Sequence, residues 1–210
     1  MSDMPNIGAV ILAAGSASRF GSCKQLITID ETSLLSRTIT ATFSAGCKNI
    51  VVITGAFRDA VEAHVKTLGA DFAERNRVQV IYNDHWDSGM GSSIKKGIEY
   101  LHNECEAAIV TVCDQPYLTD QILSGLLSKM FEDTSTVECE IVASQYSNGV
   151  LGVPVLFKRS IFPNLLSLGN ATGARKVISD NINVAQFFAF PHGEIDIDTT
   201  EDLSAFLSAK

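Results

Sequence analysis

Short apolar runs alternate with amphipathic segments along the first half of the chain. The apolar runs are rich in β-branched residues and predict four strands, at Gly8–Leu12, Ile50–Thr54, Val78–Tyr82 and Ala107–Cys113. Helical periodicity predicts helices between these strands, near Ser33–Ala45, Arg58–Leu68 and Ser92–Leu101. This β-α-β-α order predicts a mostly parallel sheet with right-handed crossovers. Nearly continuous apolar runs such as residues 108–112 fit strands that are buried on both faces.

The pattern of apolar positions changes after Asp114. A helix is predicted over Thr119–Met130, with Thr119 as its N-cap. The turn signal at residues 147–149 permits an antiparallel excursion. Two strands flanking this turn, a later strand and a last helix are predicted at Glu140–Tyr146, Val150–Phe157, Val184–Phe190 and Thr200–Ser208. Because no linker or internal repeat interrupts these elements, residues 1–210 are expected to form one domain.

Composition and charge narrow the function classes. The 210 residues are 46% hydrophobic and 19% charged, as in an ordinary globular protein. Sixteen basic against 24 acidic residues give a net charge of −8, which disfavours binding to nucleic acid or an anionic membrane through bulk charge. The chain contains no apolar run long enough to span a membrane. Its five scattered cysteines lack metal-ligand spacing and indicate reduced thiols in a cytoplasmic protein.

The segment after the first strand is the most informative part of the sequence. Residues 12–15, Leu-Ala-Ala-Gly, end a buried strand, and Arg19, Gly21 and Lys24 follow among small residues. Small residues let the backbone approach a phosphate, and the two cations can bind phosphate oxygens. Ligands of open α/β sheets bind at this edge, so an anion pocket is predicted. An ordinary loop with solvated charges is the alternative interpretation.

Two familiar phosphate-binding loops do not fit this segment. A Walker A loop needs four residues between its glycines and a Lys before Ser or Thr. Here five residues separate Gly15 from Gly21, and Ser22 follows. The dinucleotide fingerprint with three spaced glycines is also absent.

Two further segments offer candidate ligand contacts. Asp114 follows the predicted strand 107–113, and a carboxylate in this position can hold Mg²⁺ together with substrate phosphates. Its alternative role is to stabilise the turn before Pro116. Gly91 and Ser92 lie where a helix N-terminus could present N–H groups to an anion, although a plain turn into the helix has the same pattern.

These motifs together resemble the MobA-like nucleotidyltransferases, in particular their molybdenum cofactor cytidylyltransferase branch. Residues 12–26, LAAGSASRFGSCKQL, resemble the LAAGxSxRxGxxKxL signature of that family. Residues 113–116 (CDQP), 149–157 (GVLGVPVLF) and 196–203 (DIDTTEDL) resemble further family elements in the same order. The resemblance covers nearly the whole chain. It implies a Rossmann-like three-layer α/β/α sandwich of the nucleotide-diphospho-sugar transferase type, with an antiparallel excursion.

The resemblance also implies roles for individual residues. Backbone groups of Leu12, Ala13, Ala14 and Gly15, with the Asn83 side chain and the turn at Gly91 and Ser92, would bind the nucleotide. Arg19 and Lys24 would neutralise phosphate charge, and Asp114 and Asp198 would hold Mg²⁺. Asp196 and Asp198 point to the same side if the stretch is extended, so the residues alone do not separate them. The family pattern places the metal position directly before Thr199, at Asp198.

The acceptor side departs from the family pattern at one position. The family often carries Gly-Asp-x-Gly-Ala-Arg, whereas residues 170–175 read Asn-Ala-Thr-Gly-Ala-Arg. Gly173 and Arg175 match and are candidate acceptor contacts. Ala171 stands where the family has aspartate, which puts the acceptor-side contacts in doubt.

The resemblance predicts a Mg²⁺-dependent transfer of a nucleoside monophosphate from an NTP to the phosphate of a molybdopterin-type cofactor. CTP is favoured because residues 13–15 and 24–26 look more like the cytidylyl branch. A molybdoenzyme or chaperone could then receive the product as a transient partner. Other phosphorylated acceptors, a cofactor-binding protein without transferase activity and a recruited oxidoreductase are the alternatives.

Overall fold

The computed structural model describes residues 5–17, 19–68, 77–131 and 138–209. Its strands are β1 (Ile7–Ala13), β2 (Thr28–Ile29), β3 (Thr32–Ser33), β4 (Asn49–Thr54), β5 (Val78–Tyr82), β6 (Ala107–Val112), β7 (Ile141–Gln145), β8 (Leu151–Lys158) and β9 (Ala185–Ala189). Its α-helices are α1 (Leu34–Ser44), α2 (Arg58–Thr67), α3 (Met90–Leu101), α4 (Asp120–Phe131), α5 (Phe162–Leu166), α6 (Ala174–Asp180) and α7 (Thr200–Ser208).

Seven of these strands form one mostly parallel sheet in the order β5-β4-β1-β6-β8-β7-β9. β1 pairs in parallel with both β4 and β6, and its buried, fully apolar sequence fits this central place. β8 runs antiparallel to β6 and β7, which confirms the predicted excursion around the turn at residues 147–149. The short β2–β3 hairpin stands apart from the sheet.

Helices cover both faces of the sheet and complete the three layers. Apolar side chains of α1, α2 and α4, such as Leu35, Val61 and Leu123, pack on one face. Those of α3, α5 and α6, such as Ile94 and Phe162, pack on the other. The predicted three-layer α/β/α fold is thereby confirmed.

Every predicted strand and helix is present, with ends that differ by at most two residues. The largest difference is at α3, which begins at Met90 where Ser92 was predicted. The hairpin β2–β3 and the short helices α5 and α6 were not predicted, because each is too short to establish a period in the sequence.

A small third core fixes the last helix beside the sheet. Ile29 and Leu34 from the hairpin region pack with Ile197 and Phe206, and all four are buried. Thr199 caps α7 through its hydroxyl and shares a capping box with Asp202. Asp198 therefore lies between a buried anchor and a helix cap, which holds its backbone in place.

The remaining sequence expectations concern membranes and thiols. Among the described residues, no helix is long and apolar enough to cross a bilayer. All five cysteines are free, and Cys23 alone is not fully buried.

His64 links α2 to the start of α1 and gives a prediction about pH. Its Nε2 lies 2.8 Å from the hydroxyl oxygens of both Ser33 and Ser36. Burial lowers the pKa of His64, so the folded state binds this proton less readily than the unfolded chain. The stability from this site should be complete above pH of about 6.5 and should decline as the pH falls below it. We expect the melting temperature of His64→Gln to depend less on pH in that range.

The matched control for this measurement is His102→Gln. His102 is an exposed residue at the end of α3, with Nδ1 near the Glu99 carbonyl. Its removal should leave the pH dependence of the melting temperature unchanged. Equal pH profiles for wild type and His64→Gln would contradict the prediction.

Candidate active site

The candidate site lies at the carboxyl ends of β1 and β6. From β1 the chain builds β4 and β5 on one side and then returns to place β6 on the other. The loops after β1 and β6 therefore diverge and leave a crevice between them, which is where ligands bind in open α/β sheets. Residues 14–23 follow β1, and residues 113–119 follow β6.

The loop after β1 is held at its base by Gln25. The Gln25 side chain is buried, and its Nε2 donates to the carbonyl oxygens of Ala13 at 3.2 Å and Gly15 at 3.1 Å. Gly15 is exposed, and among the described residues other than its chain neighbours no atom lies within 4 Å of the position that a Cβ would occupy. A ligand can therefore approach the backbone closely here. Gln25 entered the sequence analysis only as part of residues 24–26, since its partners could not be read from the pattern.

Lys24 lies between two carboxylates from distant parts of the chain. Its Nζ is 2.6 Å from Asp114 Oδ2 and 2.6 Å from Asp198 Oδ1. Burial by itself lowers the pKa of the Lys24 ammonium, but the two carboxylates outweigh burial and raise it above its usual value. Arg19 is largely exposed and reaches Asp198 Oδ2 at 3.5 Å. The structure thus brings together four residues that the sequence placed in three separate motifs.

Asp196 and Asp198 have different environments. Asp198 contacts Lys24 and Arg19, whereas Asp196 faces a neighbouring cleft. Burial, with Asp114 and Asp198 nearby, raises the pKa of Asp196 to about 7. The Ile197 N–H donates to the Asp114 carbonyl oxygen at 2.9 Å and ties the two acidic segments together.

The carboxylates fit a metal that is shared with a substrate. Within the described ranges, no group of three or more His, Cys, Asp or Glu residues could hold a metal by itself. Asp114 Oδ1, however, is buried without a hydrogen-bond partner in the described structure. Mg²⁺ prefers oxygen ligands and usually combines one or two carboxylates with substrate phosphates. Asp114 and Asp198 can supply the carboxylate ligands that the protein would contribute to such an ion.

Gln115 and Tyr146 form a buried connection behind this pair. Gln115 Nε2 lies 2.6 Å from the Gly193 carbonyl oxygen and 2.9 Å from the Tyr146 hydroxyl. The Tyr146 hydroxyl donates to the Val153 carbonyl oxygen at 2.6 Å, and its ring packs where side chains at Gly152 and Gly193 would stand. These contacts hold the Asp114 loop against the segment that leads to Asp196. The sequence pattern located Gln115 only as part of the motif at residues 113–116 and Tyr146 only at the end of a strand, because their partners are distant in the chain.

A cleft of about 640 Å³ opens beside the carboxylates. Apolar residues such as Met90 and Val150 line it together with polar ones, among them Gln115, Asn148, Arg175, Glu194 and Asp196. Gly173 also lines the cleft, and the Arg175 Nε donates to the Leu151 carbonyl oxygen at 2.9 Å. The cleft therefore offers hydrogen-bonding groups and one exposed guanidinium to a second ligand.

Asn83, Gly91 and Ser92 make contacts within the protein at the start of α3. Asn83 is buried, and its Nδ2 donates to the hydroxyls of Ser92 at 2.8 Å and Ser93 at 3.0 Å, while its Oδ1 accepts from the His85 N–H. The Ser92 hydroxyl is also near the His85 and Gly89 carbonyl oxygens. The Gly91 N–H donates to the Asn170 carbonyl oxygen at 2.8 Å. These contacts fix the start of α3.

Ala171 lies against α3, at the position where the family pattern has aspartate. A Cβ on Gly89 would stand 2.7 Å from the Ala171 Cα, so the 169–173 segment packs closely on the first turn of α3. Lys95 Nζ also donates to Asn170 Oδ1 at 2.5 Å. The start of α3 and the 169–173 segment are thus in direct contact.

Comparison with known proteins gives the family. The family model of the MobA-like NTP transferase domain matches residues 9–185 of this chain. The chain belongs to this family. It is a nucleotidyltransferase of the MobA-like class, and the motifs quoted from the sequence lie within or next to the matched range.

Two characterised relatives differ in how much of the chain they match. Molybdenum cofactor cytidylyltransferase from Escherichia coli K12 is 26% identical over 211 residues, covering 99% of this chain and 97% of that protein. Nicotine blue oxidoreductase from Paenarthrobacter nicotinovorans is 30% identical over 126 residues. That match covers 60% of this chain and 57% of the oxidoreductase.

A solved structure shows the same fold. Rv0371c from Mycobacterium tuberculosis H37Rv superposes with a TM-score of 0.76 at 23% identity, covering 97% of this chain and 98% of that one. Its complex with manganese superposes with a TM-score of 0.74.

Proposed function

We propose that this protein transfers a nucleoside monophosphate from an NTP, preferably CTP, to the phosphate of a molybdopterin-type cofactor. The observation that carries the proposal is that Arg19, Lys24, Asp114 and Asp198 lie together at the carboxyl ends of the strands, beside a cleft. Phosphoryl chemistry needs positioning and charge neutralisation, and this group can provide both. The cytidylyltransferase from E. coli, which aligns over nearly the full length, supports CTP and the acceptor class.

The proposed reaction is an in-line displacement at the α-phosphorus. An acceptor phosphate oxygen forms the new bond to that phosphorus, the bond to the bridging oxygen of the β-phosphate breaks, and pyrophosphate leaves with its electron pair. Arg19 and Lys24 bind phosphate oxygens and offset the developing charge. Asp114 and Asp198 would hold Mg²⁺, which supplies further charge neutralisation when bound.

The two substrates would bind on opposite sides of the carboxylate pair. The backbone at residues 12–15 binds the nucleotide, since Gly15 leaves that stretch open, and Asn83 and Ser92 support it by holding α3. The cleft lined by Gly173 and Arg175 takes the acceptor, with Arg175 free to bind its phosphate. We further propose that the chain acts as one domain in the cytoplasm and passes its product to a molybdoenzyme or chaperone.

The test is pyrophosphate release with each of the four NTPs, with and without molybdopterin, in the presence of Mg²⁺. We expect release with CTP only when molybdopterin is present. Sugar and polyol phosphates serve as alternative acceptors in the same assay. The proposal fails if no NTP supports release with any of these acceptors, although the protein is folded.

A second candidate function is suggested by the 30% identical oxidoreductase from P. nicotinovorans. The same preparation should therefore be tested for oxidoreductase activity toward nicotine blue. Turnover in this assay, together with no pyrophosphate release, would favour a recruited oxidoreductase. Nucleotide binding with neither activity would favour a cofactor-binding protein.

A further inference from the structure

The Lys24 ammonium stands where a cation bridging Asp114 and Asp198 would stand. It lies 2.6 Å from one oxygen of each carboxylate and is only 13% exposed. Arg19 contacts the other oxygen of Asp198, Oδ2, at 3.5 Å. A divalent ion and an ammonium cannot share this position, because both need the same oxygens and they repel each other.

We propose that Lys24 is the resident counter-ion of Asp114 and Asp198, and that a divalent metal binds there only together with the nucleotide. The phosphates of the nucleotide draw Lys24 away and release the two carboxylates to the metal. The site therefore takes the metal–nucleotide complex and discriminates against the free metal. This inference rests on the proposed function, because it assigns the carboxylates to a metal that accompanies an NTP.

The charges around the pair favour this exchange. Without ligand, the two positive charges of Lys24 and Arg19 balance the two negative charges of Asp114 and Asp198. A metal ion alone would add positive charge beside two cations, whereas a metal–nucleotide complex brings its own negative charge. A lysine has a flexible four-carbon stem and can turn toward phosphates without moving its backbone.

Two observations distinguish this arrangement from a permanent structural ion pair. Asp114 Oδ1 is buried and has no hydrogen-bond partner in the described structure, so Lys24 satisfies only half of this carboxylate. Asp198 is 39% exposed, which leaves the pair open to solvent on that side. Leaving a buried carboxylate oxygen unpaired costs free energy that a metal ligand bond would recover.

The test is a titration with Mn²⁺, followed by the electron paramagnetic resonance of the free ion. Wild-type protein should bind Mn²⁺ weakly alone and much more tightly with a non-hydrolysable CTP analogue. Lys24→Met should bind Mn²⁺ alone at least about tenfold more tightly than wild type, because a competing charge is gone. The control Lys48→Met removes the same charge from an exposed residue just before β4, at the end of the strands opposite the site. This variant should behave like wild type.

Two further measurements keep the outcome clear if Lys24→Met folds poorly. Lys24→Arg retains a cation between the carboxylates and should keep the weak binding of Mn²⁺ alone. In wild type, Mn²⁺ should increase the affinity for the analogue by the factor that linkage requires, and equal affinity for the analogue with and without Mn²⁺ would overturn the proposal.

The results separate this inference from the proposed function. Equally tight Mn²⁺ binding by wild type with and without the analogue would overturn the role of Lys24, even if CTP is turned over. Unchanged Mn²⁺ affinity in folded Lys24→Met would also overturn it. Failure to bind any NTP under any condition would instead remove the proposed function.

Discussion

Replacing Asp114 with asparagine is expected to reduce nucleotidyl transfer by about a thousandfold while the protein stays folded. Asparagine has the same size but lacks the charge that faces Lys24 at 2.6 Å. Its amide also cannot replace a carboxylate as a Mg²⁺ ligand of full charge. Lys24 keeps Asp198 as a partner, so the loop after β1 should remain in place. The measurement is pyrophosphate release from CTP with molybdopterin, together with the melting temperature.

Two other aspartates provide the comparison for this variant. Asp198→Asn should cause a comparable loss of turnover, because Asp198 is the second carboxylate at Lys24. Asp59→Asn changes the same charge at an exposed position in the first turn of α2 and should leave turnover unchanged. Wild-type turnover in folded Asp114→Asn would show that the chemistry does not depend on this carboxylate, and the role proposed for Asp114 would be lost.

The sheet and its layers could be predicted from the sequence because buried strands and helices have recognisable local patterns of apolar residues. Both faces are buried in β1, β4 and β6, so the residues of these strands are almost uniformly apolar. This pattern is typical of central parallel strands. The location of the site followed from the same pattern, since the loops after β1 and β6 flank the point where the strand order reverses. The family resemblance added roles to residues that the pattern had only located.

The contacts that organise the site could not be predicted, because their partners are far apart in the chain. Lys24 is 90 residues from Asp114 and 174 from Asp198, and no local period links them. Gln115 similarly bonds to Gly193, 78 residues away. The family resemblance implied that Asn83 would bind the nucleotide. Its amide donates to Ser92 and Ser93, which only the packing of α3 against the sheet could reveal.

Gly91→Ala is expected to destabilise the protein by about 1–3 kcal/mol and to reduce turnover by at least about tenfold. A Cβ at residue 91 would meet the Gly169 carbonyl oxygen and would lie 2.5 Å from that of Thr172. These are backbone atoms that cannot rotate aside, so the 169–173 segment must move away from α3. The hydrogen bond from the Gly91 N–H to the Asn170 carbonyl oxygen would then lengthen or break.

The loss of turnover should arise on both sides of the site, because this contact joins them. Movement of the 169–173 segment displaces Gly173 and Arg175 at the acceptor cleft, so the KM for the acceptor should rise. Strain at the start of α3 should also disturb the hydrogen bonds from Asn83 that support the proposed nucleotide site, and this should raise the KM for CTP.

The control is Gly169→Ala in the same segment, where the nearest atom to a Cβ is the side-chain oxygen Thr172 Oγ1 at 3.2 Å. Since a side-chain atom can give way where a carbonyl cannot, Gly169→Ala should retain most of the stability and turnover. Equal losses in the two variants would mean that the contact between α3 and this segment does not carry the effect.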